Sequence, residues 1–420
     1  MEHAGEGTGN SRIFAGFAHA AAQARRTVFA ALAVGCAPSG PPWNARAAMA
    51  GGAYADGVDL AMSLRDALER EASGTAIKQL SDAVTRLSTR YRAVAAADEP
   101  ILARPVDVLA YAHYRMPATF GAVRSALRAL ADSGVFDADS VTSMVDLGGG
   151  TGAAAWAAAD VFETLRDISV LDQVPAALDL GQRLARASGV PALERTVWQE
   201  GRVGSWNVTV GAPSGGGADL ATVSYVLSEL SPQQADRIVA EATSAATRAV
   251  VIVEPGTPDG YARILRARDQ LLEQSWSVAA PCPHQGACPL LAKTEPDWCH
   301  FAARVNRSSV HRQVKGGELS HEDEKFSYVA MVREPAHVAQ GVPLRDGVDL
   351  TQRPSERDAR IIRHPKKNKG FVELQVCEAL DASGLAGQVR RAVVTKKAGP
   401  AYKQARDAGW GDAIDLGARG

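Results

Sequence analysis

One short string constrains this chain more than any other: Val-Asp-Leu-Gly-Gly-Gly-Thr-Gly at residues 145–152. The residues up to Leu147 read as a buried strand, and the alanine-rich stretch from Ala153 to Phe162 reads as a helix. A strand that turns into a helix over so few residues needs backbone freedom. Gly148, Gly150 and Gly152 supply it, and they also let a ligand come close without meeting a Cβ atom. The helix that follows presents free N–H groups at its start. A second strand, from Asp167, ends at Asp172 about twenty residues past the turn, where a carboxylate can take both hydroxyls of a ribose. Asp146, Gly148, Gly150, Gly152 and Asp172 are therefore the candidate cofactor-binding residues.

Strands and helices continue to alternate. Residues 218–227 (ADLATVSYVL) and 249–255 (AVVIVEP) read as buried strands rich in branched residues, and between them lies an amphipathic helix with Ser231 as N-cap and Pro232 at its first position. That rhythm predicts an α/β fold with a parallel sheet covered on both faces. The acidic residue before the glycines, the spacing to Asp172 and the strand order resemble motifs I and II of the class I S-adenosylmethionine-dependent methyltransferases. The resemblance implies a Rossmann-like core and S-adenosylmethionine as cofactor. A nicotinamide dehydrogenase is the competing reading, but its fingerprint usually lacks the acid at the strand end and must bind a pyrophosphate. No catalytic signature accompanies the turn. Ser224-Tyr225-Val226-Leu227 stands where many amino-methyltransferases carry Asn/Asp-Pro-Pro-aromatic, and no cysteine lies near Ser224 or Glu254. Glu229 and Glu254 are candidates by position only, and a structural or surface role suits each better. The catalytic residues stay unknown.

At 420 residues the chain has room for several regions. Residues 1–57, poor in large apolar side chains, read as a disordered extension. Within them Arg25-Arg26, a short apolar run and Cys36 loosely resemble a lipoprotein signal, but the run lies deep in the chain and is short. Residues 58–140 read as a helical cap, in which Pro117 is expected to open a new helix after a turn. Residues 141–280 form the expected cofactor-binding core, 281–333 a cysteine segment, and 334–420 a basic β-rich unit that begins with a linker or surface loop at 334–356. No apolar run reaches the ~18 residues that would span a membrane. A net charge of −1 hides an asymmetry: the part beyond residue 300 carries roughly +6, as a polyanion-binding region would.

Cys282, Cys288, Cys299 and Cys377 follow a C-x5-C-x10-C pattern and a gap of 77 residues. Four soft thiolates suggest a metal or iron–sulfur site. Zinc modules favour pairs two to four residues apart, whereas a wider loop stiffened by Pro281, Pro283 and Pro289 suits a larger cluster. Spacing alone favours iron–sulfur over zinc only slightly. Cys377 would then draw the C-terminal unit back onto the central segment as a staple. A radical S-adenosylmethionine enzyme is set aside, because its cysteines are more closely spaced and leave one iron open.

Further strings sharpen the picture: AYAHYRMPATFGAV from residue 110, EPGTPDGYARILRARDQLL from 254, APCPHQGACPL from 280, DWCHF from 297, KGGELSHEDEKFSYVAM from 315, HPKKNKGFVELQVC from 364 and YKQARDAGWGD from 402. In this order they resemble the methyltransferase-like family of the small ribosomal subunit, which has bacterial members and mitochondrial assembly factors. The likeness runs over roughly residues 58–415. It implies a four-iron, four-sulfur cluster on Cys282, Cys288, Cys299 and Cys377, and a partner in the small subunit and its rRNA. Arg304, Arg307, His311, Arg312 and Lys315, expected on a helix and loop, fit phosphate contacts, as do Lys366, Lys367, Lys369, Lys396 and Lys397. Glu322, Asp323 and Glu324 are expected to pair with nearby cations. Two versions of the function remain open, methyl transfer to rRNA or a non-catalytic assembly factor, with a small-molecule or protein methyltransferase behind them. A cytoplasmic protein, monomeric apart from the ribosome, is expected.

Overall fold

In the computed structural model the structure describes residues 59–92, 104–205, 217–308, 310, 312–313, 319–333, 358–381 and 383–416. The expected extension at 1–57 and the loop at 334–356 lie outside these. So do His311 and Lys315.

Among the described residues three helices come first. α1 (Leu60–Glu71) starts where the Asp59 carboxylate accepts from the N–H groups of Ala61 and Met62. α2 (Ile77–Arg92) follows, and α3 (Pro105–Ala131) runs for 27 residues. Pro117 lies inside α3, so the expected break is not there. An interior proline costs about 3 kcal/mol, while burying one large apolar side chain contributes about 1.5–3 kcal/mol. Val108, Met116, Phe120, Val123, Leu127 and Leu130 all bury along this helix, which outweighs the lost bond. Pro105, by contrast, occupies the first turn, where no N–H partner is forgone.

The sheet begins with β1 (Ser143–Leu147), buried throughout, which the glycine turn joins to α4 (Ala153–Val161). β2 (Asp167–Asp172), α5 (Pro175–Arg186), the short α6 (Pro191–Glu194) and β3 (Val197–Glu200) complete one half. β4 (Ala218–Ser224) opens the other half. It is followed by α7 (Pro232–Ala245), whose Ser231 and Gln234 form a reciprocal capping box. Then come β5 (Ala246–Pro255), α8 (Pro258–Glu273), β6 (Trp276–Ala280), β7 (Phe301–Asn306) and the long β8 (His321–Arg333).

The strand order is β3-β2-β1-β4-β5-β8-β6, with β7 also pairing β8. β1 to β5 run parallel to one another, and β8 runs antiparallel between β5 and β6. One apolar cluster, fed by α1, α3, α4 and α5, covers one face, and another, fed by α7 and α8, covers the other. A boundary at residue 280 therefore runs through a single sheet. The first half of β8 pairs with β7 from Phe301↔Phe326 to Asn306↔His321, and this hairpin stands beyond the carboxyl end of β5.

A second sheet follows, made of β9 (Asp358–Ile361), β10 (Lys366–Asn368), β11 (Phe371–Ala379), β12 (Gly387–Thr395) and β13 (Ala413–Asp415), with α9 (Pro400–Asp407) packed on it. β12 takes one edge of β11, and β10 and β9 share the other. Its core holds Ile361, Val372, Leu374, Val376 and Ile414. Among the described residues no helix is long and apolar enough to cross a membrane.

Candidate functional site

Gly148, Gly150 and Gly152 have φ values of +70°, +53° and +83°, so each holds a conformation that other residues adopt only under strain. Gly149 has no such φ but is equally constrained, since a Cβ there would lie 2.4 Å from Asp146 Oδ2 and 2.7 Å from Val170 Cγ1. The Gly150 N–H donates to Asp172 Oδ2 at 2.9 Å and the Val174 N–H to Oδ1 at 2.8 Å. Asp172 thus holds the turn against the end of β2, and its remaining lone pairs are the ones a ribose could use. Burial raises its pKa, partly offset by these N–H donors.

Asp146 does a different job. It is 1% exposed, its Oδ1 accepts from the Thr222 hydroxyl at 2.7 Å, and its Oδ2 has no partner. Burial pushes its pKa up to about 7, against the Thr222 bond and with some help from the charge of Asp172. It is a brace between β1 and β4, not an open ligand. Trp198 of β3 fills the space that side chains at Gly152 and Gly181 would need: their Cβ atoms would lie 2.6 Å and 2.4 Å from its ring. Thr222, Trp198 and Gly149 were not anticipated. The glycine in the middle of α5 was the available sign, because an interior helix glycine costs stability unless something packs against it.

At the carboxyl end of β4, Tyr225 has φ +61° and its hydroxyl donates to Glu324 Oε1 at 3.0 Å. Arg115 of α3 pairs with the same carboxylate at 2.9 Å and lies over the Tyr225 ring at 5.2 Å. Glu324 thus ties the β7–β8 hairpin to the residue after β4 and to α3. Glu254 is fully buried. Its Oε1 accepts from the Leu227 N–H at 3.0 Å, Oε2 lies 3.7 Å from Arg263, and burial lifts its pKa to about 7. It fixes the loop after β4, as the structural reading expected.

The four cysteines all line one cavity, together with Tyr261, Arg268, Arg360 and apolar side chains, and none is in a disulfide. Cys282 and Cys288 lie in the loop after β6, Cys299 just before β7, and Cys377 in β11 opposite Val389. Burial raises the thiol pKa of Cys282, Cys299 and Cys377, and neighbouring sulfurs add to each shift. The donor set is soft and free, which fits a thiolate-bound group. Among the described residues no three His, Cys, Asp or Glu stand as the ligands of a single metal ion. His284 is 1% exposed, and its Nε2 lies 3.5 Å from Cys377 Sγ, in a space kept open by Gly387, where a Cβ would lie 2.1 Å away.

The basic residues divide. Arg304 is on strand β7, not on a helix, and pairs with Asp323 at 2.9 Å, while Arg307 is half-buried against Glu322 at 2.7 Å. Cross-strand register sets the first pair, since Arg304 lies opposite Asp323, whereas Glu322 lies opposite Val305 and meets Arg307 from just past the end of β7. Arg312 is exposed. Lys366 and Lys367 lie on β10 and Lys369 in the turn to β11, all exposed. The Lys396 N–H donates to Gly370 O at 3.0 Å, which brings Lys396 and Lys397 to the same end of the small sheet.

The strand order with β8 reversed, the glycine turn after β1 and the acidic end of β2 together define a class I methyltransferase fold. Within that class the assignment is narrower. The family described as mitochondrial small ribosomal subunit Rsm22 matches residues 105–415, and the chain belongs to it. The human mitochondrial ribosome assembly protein METTL17 is 26% identical over 291 residues, 65% of this chain and 55% of that protein. The mitochondrial Rsm22-cox11 tandem protein 2 of Schizosaccharomyces pombe is 25% identical over 343 residues, 74% of this chain and 43% of that protein. The chain thus spans about half the length of the curated relatives it matches. Among solved structures, a putative RNA methyltransferase from Pyrococcus horikoshii is 12% identical with a TM-score of 0.34, over 60% of this chain and 99% of that one. The magnesium protoporphyrin IX methyltransferase of Synechocystis, solved with bound SAH, is 12% identical with a TM-score of 0.33, over 60% of this chain and 94% of that one.

Proposed function

We propose that this chain binds S-adenosylmethionine at the glycine turn, holds a four-iron, four-sulfur group on Cys282, Cys288, Cys299 and Cys377, and works on the small ribosomal subunit during its assembly. One observation carries the reading: the glycine turn and the four-thiol cavity occur in one fold, and both fall inside the span matched by the family. Asp172 and the N–H groups at the start of α4 would orient the nucleoside part of the cofactor. The group on the four thiolates would tie the loop after β6, the start of β7 and β11 by covalent bonds. Zinc on the same thiolates is the alternative occupant. The exposed lysines at one end of the small sheet would meet rRNA phosphates. A reducing compartment suits the thiolates, and we place the protein in the cytoplasm, although the relatives are named mitochondrial.

The closed end of β4 favours an assembly factor over a catalyst. Tyr225, Glu324 and Arg115 bind one another at the carboxyl end of β4, and in our reading they stand where an acceptor base would be presented. The test uses chain purified without oxygen, small-subunit precursors and S-adenosylmethionine labelled on the methyl group, with Asp172→Ala as control. The expected result is stable binding to precursors with no label in the rRNA. Label that disappears in the control would make the chain an rRNA methyltransferase. Absence of binding to precursors would sink the ribosomal reading.

A further inference from the structure

One stripe of α8 faces the thiol cavity. Tyr261, Ile264, Leu265 and Arg268 fall at the i, i+3, i+4, i+7 spacing of a single helical face, and all four line it. Two of them are polar. The Tyr261 hydroxyl donates to Cys288 Sγ at 3.1 Å, from a side chain that is 7% exposed. Arg268 is 2% exposed, and its Nη2 donates to the carbonyls of Gln285 at 2.9 Å and Gly286 at 2.5 Å, in the loop between Cys282 and Cys288.

Neither arrangement makes sense around four neutral thiols. A thiol is a weak acceptor for a buried phenol. A buried guanidinium is costly unless a negative charge faces it. The carboxylate that Arg268 does touch, Asp269 at 3.2 Å, belongs to a side chain that is 65% exposed and lies outside the cavity. Arg360 adds a second cation to the cavity wall, held by the carbonyls of Pro281 at 3.0 Å and Gly411 at 2.8 Å. The wall is therefore prepared for negative charge on the sulfurs, and most of all for the form of an occupant that carries one electron more. Hydrogen bonds to ligating sulfur and nearby buried cations favour that reduced form.

We propose that Tyr261 and Arg268 are positioning residues for the group bound by the four cysteines, and that they raise its reduction potential through the Cys288 sulfur and the charge in the cavity wall. This rests on the iron–sulfur reading given above. It goes beyond a staple, because a purely structural group has no need of a phenol hydrogen-bonded to its ligand.

The test is a potentiometric titration with dithionite as one-electron reductant, followed by electron paramagnetic resonance, on the full chain purified without oxygen. Tyr261→Phe keeps the ring and removes only the donor. At the potential where the parent chain is half reduced, its ratio of reduced to oxidised cluster should fall by up to about tenfold, which is about 59 mV for one electron. Iron, sulfide and melting temperature should stay as in the parent. A coupling to an exchangeable proton, present in the parent signal, should vanish in the variant. Arg268→Met should lower the ratio further, and if that variant fails to fold, Tyr261→Phe decides alone. A Tyr261→Phe protein with full iron and an unchanged titration overturns the proposal, as does one that loses its iron. A parent chain that holds zinc or no metal overturns the cofactor reading instead, and this proposal falls with it.

Discussion

The glycine turn takes its parts from a short run of chain, Asp146 to Asp172, completed by Thr222 and Trp198 from adjacent strands. The thiol cavity draws on α8, the loop after β6, the start of β7, β9 and both long strands of the second sheet, from Tyr261 to Val389. The first is backbone geometry enforced by glycines, and it forms once β1 and β2 pair. The second is a set of side chains that meet only after the C-terminal sheet has come back onto the core. It encloses four thiols and two guanidinium groups. If the proposed occupants are right, a site of the first kind should stand without its ligand, whereas a site of the second kind should depend on it.

The largest expected effect breaks that comparison if it fails. Cys288→Ser should lose iron and solubility together, because the proposed staple would supply folding free energy on the order of the whole domain's, about 5–15 kcal/mol. Iron per chain and the soluble fraction are the measurements. A soluble, stable, iron-free Cys288→Ser protein would show that the cavity stands unaided.

Gly152→Ala is the matching change at the other site. It forces a φ of +83° on a residue with a Cβ and places that atom 2.6 Å from Trp198. Strain and overpacking should together cost roughly 2–4 kcal/mol, read from urea unfolding, with S-adenosylmethionine affinity falling in parallel. Iron content should not change. A loss of iron here would mean that the two sites are one cooperative unit.

The smallest effect is a pH dependence. The folded pKa of Asp146, about 7, lies above its unfolded value, roughly 3.9. Its protonated form therefore contributes stability that is fully present below about pH 4 and is lost as pH rises through 7. Asp146→Asn removes that loss, so its stability relative to the parent should rise between pH 5 and pH 8. Unfolding curves at the two pH values measure the difference. Equal curves would mean that Asp146 ionises freely and is not the sealed brace between β1 and β4.

Reading the chain recovered the contiguous features well. The strands around the glycine turn, the Ser231 cap and the β11–β12 pair follow from periodicity and local capping chemistry, which act within a few residues. It misplaced a break at Pro117, because a local penalty was weighed without the apolar face that overrides it. The charge of Arg304 and Arg307 is visible in the sequence, whereas their carboxylate partners on β8 are not. Arg268 was legible in part: a charged residue on the stripe of Tyr261, Ile264 and Leu265 is out of place in an ordinary amphipathic helix.

The sequence by itself determined the class of sheet, the position of the turn and the identity of the four sulfurs, since glycines and cysteines carry their constraint in their own covalent structure. Tertiary structure alone decided that β8 reverses between β5 and β6, that its hairpin is tied to the residue after β4 through Glu324, and that α8 lays a phenol and a guanidinium against the thiols. Those outcomes depend on register and burial between segments far apart in the chain, where the free energy comes from which surfaces meet.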